Sequence, residues 1–403
     1  MSSKPASLTA ILDRAAKGFE SRFRTEPTGV VSAPGRVNII GEHTDYHDGY
    51  VLPMAISLRT VVALSPRGDG TVAAWSEAFD QPVRFRVEDL STTRPLPGWG
   101  AYVAGVAWAL KSQGYEFPGL NLFIASDVPG GSGLSSSAAL EVGVGFAFMT
   151  AAGVAPRTTD EMKQLAKTCR LAENAYVGVP CGVMDQTTSA CAVARSALFI
   201  DCRDLRTRQV PIHHDLAVVV CDSGVRHSLA AGQYAVRRQQ SETARDLLAT
   251  RRPEVTALRD ARPADLETLT GLLRDSGLDP VQQDIVWRRA RHVISEDLRV
   301  QQALMVLPEG NRRALASLLE GSHRSLRDDY EVSCPELDTL VETAAKAPGY
   351  CGSRMTGGGF GGSTVNLVEL EAVDAFREYL KEHVPSLGGV WSFAPDQGVR
   401  RES

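Results

Sequence analysis

The sequence predicts an α+β protein of two domains, and three observations carry that prediction. Strand-like and helix-like segments are mixed without the regular strand–helix–strand alternation of a doubly wound sheet. The chain changes character near residue 200, with short β-branched runs before it and long arginine-rich amphipathic helices after it. A chain of 403 residues is also too long for one simple core. The expected division is 1–200 and 201–403.

Each element has a local reason. Leu8, Ile11, Leu12, Ala15 and Phe19 fall at helical spacing and predict an opening helix over 8–24. Runs at 29–33, 59–65, 71–75 and 83–87 read as strands from their β-branched and apolar content. Val103, Val106 and Leu110 mark one face of a helix over 101–113, and 120–125 is a strand. The segment from Leu134 to Ala151 is apolar nearly all round, which predicts a buried helix. A helix covers 160–177 and another begins near Gly182. Strands at 196–201 and 216–222 precede amphipathic helices that dominate 228–346. Strand 363–370, helix 372–383 and strand 389–393 close the chain.

Composition removes several classes of function. A formal net charge of −5 offers no basic field for nucleic acid. Seven cysteines occur without a Cys-x-x-Cys pair, and Cys181, Cys191 and Cys202 are too widely spaced for a zinc knuckle. Reduced thiols and a cytoplasmic location are therefore expected. The start of the chain shows no signal-peptide pattern, and no run of about eighteen apolar residues predicts a membrane span.

Four stretches gather the chemistry. Residues 35–50, GRVNIIGEHTDYHDGY, place Arg36, Glu42, His43, Thr44 and Asp45 between two apolar runs. Such a loop is either a solvated turn or a way to present polar groups to a ligand. In Val128–Leu140 three glycines and four serines follow a strand and open a helix. Bare backbone amides, a helix N-terminus and hydroxyls make a phosphate cradle, although a glycine turn with a serine cap is the ordinary explanation for such a loop alone. No lysine follows the glycines, so it is not a Walker A loop, and the dinucleotide fingerprint also fails.

Met355–Ser363 holds five glycines in six positions. That cost in chain entropy calls for close approach to a ligand or to the phosphate loop rather than a simple hairpin. Val179–Gln186 sets a lone Asp185 at the start of an apolar helix, where it could merely satisfy the helix end. Twelve residues earlier Glu173 lies on an amphipathic helix, an ordinary place for a surface glutamate.

Taken together these stretches resemble the GHMP small-molecule kinases, and within them the galactokinase branch. The resemblance runs over essentially the whole chain, and Gly35–Tyr46 looks like the signature of that branch. Other members of the superfamily lack Gly-Glu-His-Thr-Asp there. His47 stands where asparagine is usual, Gly358 and Ser363 replace a common alanine and cysteine, and Ala101 and Ala104 replace polar residues.

The resemblance implies a two-domain fold of mixed sheets and helices with its active site in the cleft between domains. It implies ATP-dependent phosphorylation of galactose at the C1 hydroxyl with Mg²⁺ as cofactor, by a monomer. Asp185 would be the general base, and Arg36 would stabilise its ionised form and offset transition-state charge. Glu42, His43, Thr44, Asp45, Gly182, Asp185 and Tyr234 would bind the sugar. Gly131, Ser132, Gly133, Leu134, Ser135, Ser136 and Ser137 would line the ATP phosphates, with Ser76 and Trp99 nearer the base and ribose. Ser137 and Glu173 would hold the metal. A kinase for N-acetylgalactosamine or arabinose, and a non-catalytic sugar sensor on the same scaffold, remain open from sequence.

Overall fold

The computed structural model describes residues 7–226 and 230–402. These form two compact units: Val37–Met54 with Arg195–Ala394 (unit I), and the chain up to Arg36, Ala55–Ala194 and Pro395 onward (unit II). The chain was expected to divide at residue 200; it passes from unit II to unit I at Arg195. The segment 37–54, expected in the first domain, instead belongs with the later one. Long-range bonds explain this: Glu296 accepts from the Gly41 amide, Asp297 accepts from the Tyr50 amide, and Arg354 donates to the Asn38 and Ile39 carbonyls.

Unit II is organised by a six-stranded sheet in the order Arg400–Arg401, Gly29–Asn38, Pro53–Arg67, Gly119–Ser126, Thr71–Ser76, Phe79–Arg86. Alternate residues of Pro53–Arg67 feed two different cores, as strand pleating requires. Val62 and Leu64 pack with Leu122 and Ile124 against Val103, Val106 and Leu110 of helix Gly100–Ser112 and against Val142 of helix Ser136–Ala151. Val61 and Ala63 face the other way, onto Ile11, Ala15 and Phe19 of helix Leu8–Phe23. Burying each of the larger side chains contributes about 1.5–3 kcal/mol.

Unit I contains an antiparallel sheet in the order Tyr350–Thr356, Gly361–Glu369, Leu216–Arg226, Gly389–Phe393, and a smaller sheet of Tyr50–Val51, Ser196–Asp201 and Arg206–Pro211. Its longest helix, Pro280–Glu309, starts with Asp279 capping the Val281 and Gln282 amides and stops at Gly310 in the left-handed region. That is the expected chemistry of both ends. Among the described residues no helix is long and apolar enough to cross a membrane, and the cysteines are thiols rather than disulfides.

Candidate active site

In unit II three segments converge on one carboxylate. Arg36, at the end of its strand, is 5% exposed and grips Asp185 with both arms, Nε to Oδ1 at 2.7 Å and a terminal nitrogen to Oδ2 at 2.7 Å. Its remaining nitrogen donates to the Gly133 carbonyl at 2.5 Å. Gly35 allows this approach, because a Cβ there would stand 2.6 Å from the Leu134 carbonyl oxygen. The Ser135 hydroxyl donates to Asp185 Oδ2 at 2.5 Å. Asp185 therefore accepts three hydrogen bonds, two of them from the charged guanidinium.

The helix expected from Leu134 begins at Ser136, because Ser135 adopts φ 60°. A non-glycine residue in that region costs on the order of 1–2 kcal/mol and is held there by its surroundings. Here it aims the hydroxyl at Asp185 rather than into the loop. Gly131 and Gly133 also have positive φ, while the Ser132 hydroxyl is spent on the Pro129 carbonyl. The cradle thus offers backbone amides at the start of Ser136–Ala151, together with the Ser136 and Ser137 hydroxyls.

Glu173 is no surface glutamate. It is 5% exposed and lies in a π-helical turn, Ala172–Val177, which interrupts the expected continuous helix. Such turns recur at functional sites because they re-aim a side chain. Its carboxylate receives Gln186 Nε2 at 2.6 Å, the Cys181 thiol at 3.1 Å and a hydrogen bond from Ser137. Gln186 Nε2 also reaches Glu141 Oε2 at 3.0 Å. Burial first, then the neighbouring acids, raises both glutamates above the ordinary carboxyl range. Among the described residues Glu141 Oε1 is buried without a hydrogen-bond partner. Two buried carboxyls beside each other make a cluster that suits a hard divalent ion held by oxygen.

A third feature of unit II is a recess of about 540 Å³ lined by Phe79, Pro82, Val83, Leu96, Pro97 and Trp99, among others. The Phe79 and Trp99 rings lie nearly parallel at 6° with centroids 5.7 Å apart, and Phe79 is half exposed. A flat aromatic surface at an open recess can stack a nucleobase. Ser76 sits at the head of the same hairpin, paired with Phe79, and its hydroxyl accepts from the Ala78 amide.

Unit I holds the acidic loop. Glu42 is 3% exposed and its Oε1 accepts from the Gly357 amide at 2.7 Å, the Thr356 hydroxyl at 3.1 Å and Arg354 at 3.3 Å. The glycine-rich stretch owes its bare backbone in part to Val332, whose carbonyl oxygen would lie 2.2 Å from a Cβ on Gly359. The Thr44 hydroxyl is used on the Gly41 and Tyr50 carbonyls, so it staples the loop rather than presenting itself. His43 is surrounded by the rings of Tyr46, Tyr234 and Tyr330 at 6.0, 5.4 and 4.8 Å. Burial pushes His43 and His47 down to about 3 and His292 to about 4, so all three are neutral. Asp45 is half-buried in this loop, while Gly182 is buried in unit II.

Residues 17–66 match the galactokinase galactose-binding signature, 101–193 the GHMP kinase N-terminal domain and 303–386 the GHMP kinase C-terminal domain. The galactokinase of Streptomyces coelicolor is 44% identical, with 97% of this chain and 99% of that protein aligned. The chain belongs to the galactokinase family. The human galactokinase is also 44% identical, with 96% of this chain and 95% of that protein aligned. The crystal structure of Lactococcus lactis galactokinase complexed with galactose superposes with a TM-score of 0.87 at 32% identity, covering 97% of this chain and 99% of that one. Methanococcus jannaschii mevalonate kinase, at 15% identity and a TM-score of 0.63, shares the fold. A kinase of this family uses ATP as co-substrate.

Sequence reasoning missed Arg354, Gln186, Glu141 and Phe79. Glu141 did leave a signal, as the lone charge in an otherwise apolar helix. Arg354 left none, because its role depends on carbonyls more than 300 positions away.

Proposed function

We propose that this chain transfers the γ-phosphoryl group of ATP to the C1 hydroxyl of galactose, giving galactose 1-phosphate. The observation that carries the reading is the forked Arg36–Asp185 pair beside a glycine-rich helix start. Phosphoryl transfer needs alignment, charge neutralisation and a route for the hydroxyl proton, and this arrangement supplies parts of all three.

Asp185 accepts the C1 proton as the sugar oxygen attacks. Three hydrogen bonds already occupy its carboxylate, so accepting the proton requires one of them to yield. Ser135 is the one that can turn away without uncovering a charge. Arg36 remains, offsetting negative charge as it builds on the transferred group. The backbone amides at the start of Ser136–Ala151, with Gly131 and Gly133, hold the phosphates. Trp99 and Phe79 stack the base. Mg²⁺ neutralises phosphate charge when bound, and Ser137 and Glu173 would hold it, with Gln186 orienting Glu173.

Glu42, His43, Asp45 and Tyr234 serve the sugar hydroxyls, with Gly182 and Asp185 assigned to the reacting end. Each buried hydroxyl left unpaired would cost about 1–3 kcal/mol, which is why so polar a set is needed. The protein acts as a monomer in the cytosol, which supplies ATP and keeps thiols reduced. Calorimetry on Asp45→Ala tests the division of labour. Galactose binding should weaken about fivefold or more while ATP binding holds, through loss of a charge-assisted hydrogen bond. Equal loss for both ligands would mean that the loop had collapsed.

A further inference from the structure

A line of hydrogen bonds runs through the interior of unit I and ends on His43. His43 Nδ1 lies 2.8 Å from the Tyr46 hydroxyl, which lies 2.8 Å from the Tyr330 hydroxyl. Tyr330 lies 3.1 Å from Ser241 Oγ, and His47 Nε2 reaches the same oxygen at 2.7 Å. The direction of the line follows from its far end. Ser241 sits inside helix Ala230–Ala249 and donates its single hydrogen to the Arg238 carbonyl at 2.8 Å, the back-bond common to helical serines. Its oxygen is then an acceptor for both neighbours. Tyr330 donates to it, and the Arg237 carbonyl at 3.5 Å draws the same hydrogen the same way. Reversal would turn Ser241 from a 2.8 Å acceptor to one at 3.1 Å.

Each step now follows from the previous one. With its own hydrogen committed to Ser241, Tyr330 accepts from Tyr46. Tyr46 in turn accepts, and the hydrogen between it and His43 belongs to Nδ1. A neutral imidazole carries one hydrogen, so Nε2 is left with a lone pair. That nitrogen is buried and has no hydrogen-bond partner among the described residues. A buried lone pair with no partner among the described residues calls for a donor from outside the chain.

We propose that Tyr46, Tyr330 and Ser241 are positioning residues that fix the tautomer of His43, so that its Nε2 accepts the hydrogen of a galactose hydroxyl. The proposal rests on the reading of His43 as a sugar contact. It adds a direction to that contact: His43 takes a hydrogen bond from the sugar and gives none. It also assigns work to Ser241 and Tyr330, which lie far from the signature in sequence.

The test is the ¹⁵N spectrum of histidine-labelled protein, with and without galactose, alongside steady-state kinetics of Ser241→Ala, Ser241→Thr and Tyr46→Phe. In the ligand-free protein His43 should show a protonated Nδ1 and an unprotonated Nε2, and galactose should shift the Nε2 resonance. Ser241→Ala and Tyr46→Phe should blur this pattern and raise the galactose KM roughly three- to tenfold, leaving the ATP KM unchanged. Ser241→Thr, which keeps the oxygen, should restore both. A protonated Nε2 in the ligand-free wild-type protein would overturn the proposal, as would Ser241→Ala with unchanged tautomer and galactose KM. An unprotonated Nε2 that galactose leaves unmoved would overturn the sugar contact itself, an outcome the spectrum separates from a wrong tautomer.

Discussion

Replacing Arg36 by lysine keeps a positive charge and removes the fork. The guanidinium makes three contacts at once: two to Asp185 at 2.7 Å each and one to the Gly133 carbonyl at 2.5 Å. A lysine ammonium can keep one carboxylate contact and cannot also span to Gly133. Two bonds from a charged donor are lost, each contributing about 1.5–3 kcal/mol. The Asp185 side chain is 29% exposed, so water replaces part of what is lost and the lower bound applies. The expected deficit is about 3 kcal/mol, or on the order of 100-fold in kcat/KM. ADP release at varied ATP and galactose reads the change, and a thermal unfolding curve reports whether the variant remains folded. A folded Arg36→Lys protein within about threefold of wild-type kcat/KM would refute the assignment of transition-state charge to this fork.

Three further outcomes follow from other residues. Asp185→Asn keeps the shape but cannot take a proton, so turnover should fall roughly 100-fold or more while calorimetric galactose binding persists; turnover within a few-fold would reduce Asp185 to positioning. Glu173→Gln should shift the Mg²⁺ dependence of turnover to higher concentration and leave galactose binding without nucleotide unchanged; an unshifted titration would leave Glu173 a buried structural group. Asp297 is pushed up to about 8 by burial, from an ordinary 3.8, so the folded chain holds a proton that the unfolded chain has released. Between about pH 4 and 8 this group makes stability fall with rising pH, by about 1.4 kcal/mol per unit. Urea unfolding of Asp297→Asn should lose that slope, and parallel pH profiles for variant and wild type would contradict it.

Elements with strong periodicity were legible from the residues alone. The opening helix expected over 8–24 spans Leu8–Phe23, and strand 389–393 is met as Gly389–Phe393. Strand Tyr350–Thr356 went unread because its buried residues include the polar Ser353, Arg354 and Thr356, which break the apolar pattern of a buried strand. Strand Arg206–Pro211 was missed because its exposed polar residues leave little apolar alternation. The one-sided view of Ser135 as a phosphate ligand has a similar origin, since a positive φ leaves no mark in sequence when the residue is not glycine. The pairing of Arg36 with Asp185 was nameable only through the family signature. Nothing in local spacing joins Arg36 to Asp185 across 149 positions.

The most direct test of the central claim is the phosphorus spectrum of a reaction containing the protein, ATP, Mg²⁺ and one sugar at a time. With galactose the γ-phosphate signal should give way to ADP and a sugar phosphate whose coupling places the ester on C1. N-Acetylgalactosamine and arabinose should react far more slowly. Phosphate arriving at another position, faster turnover of either alternative sugar, or no ADP formation with galactose would contradict the account.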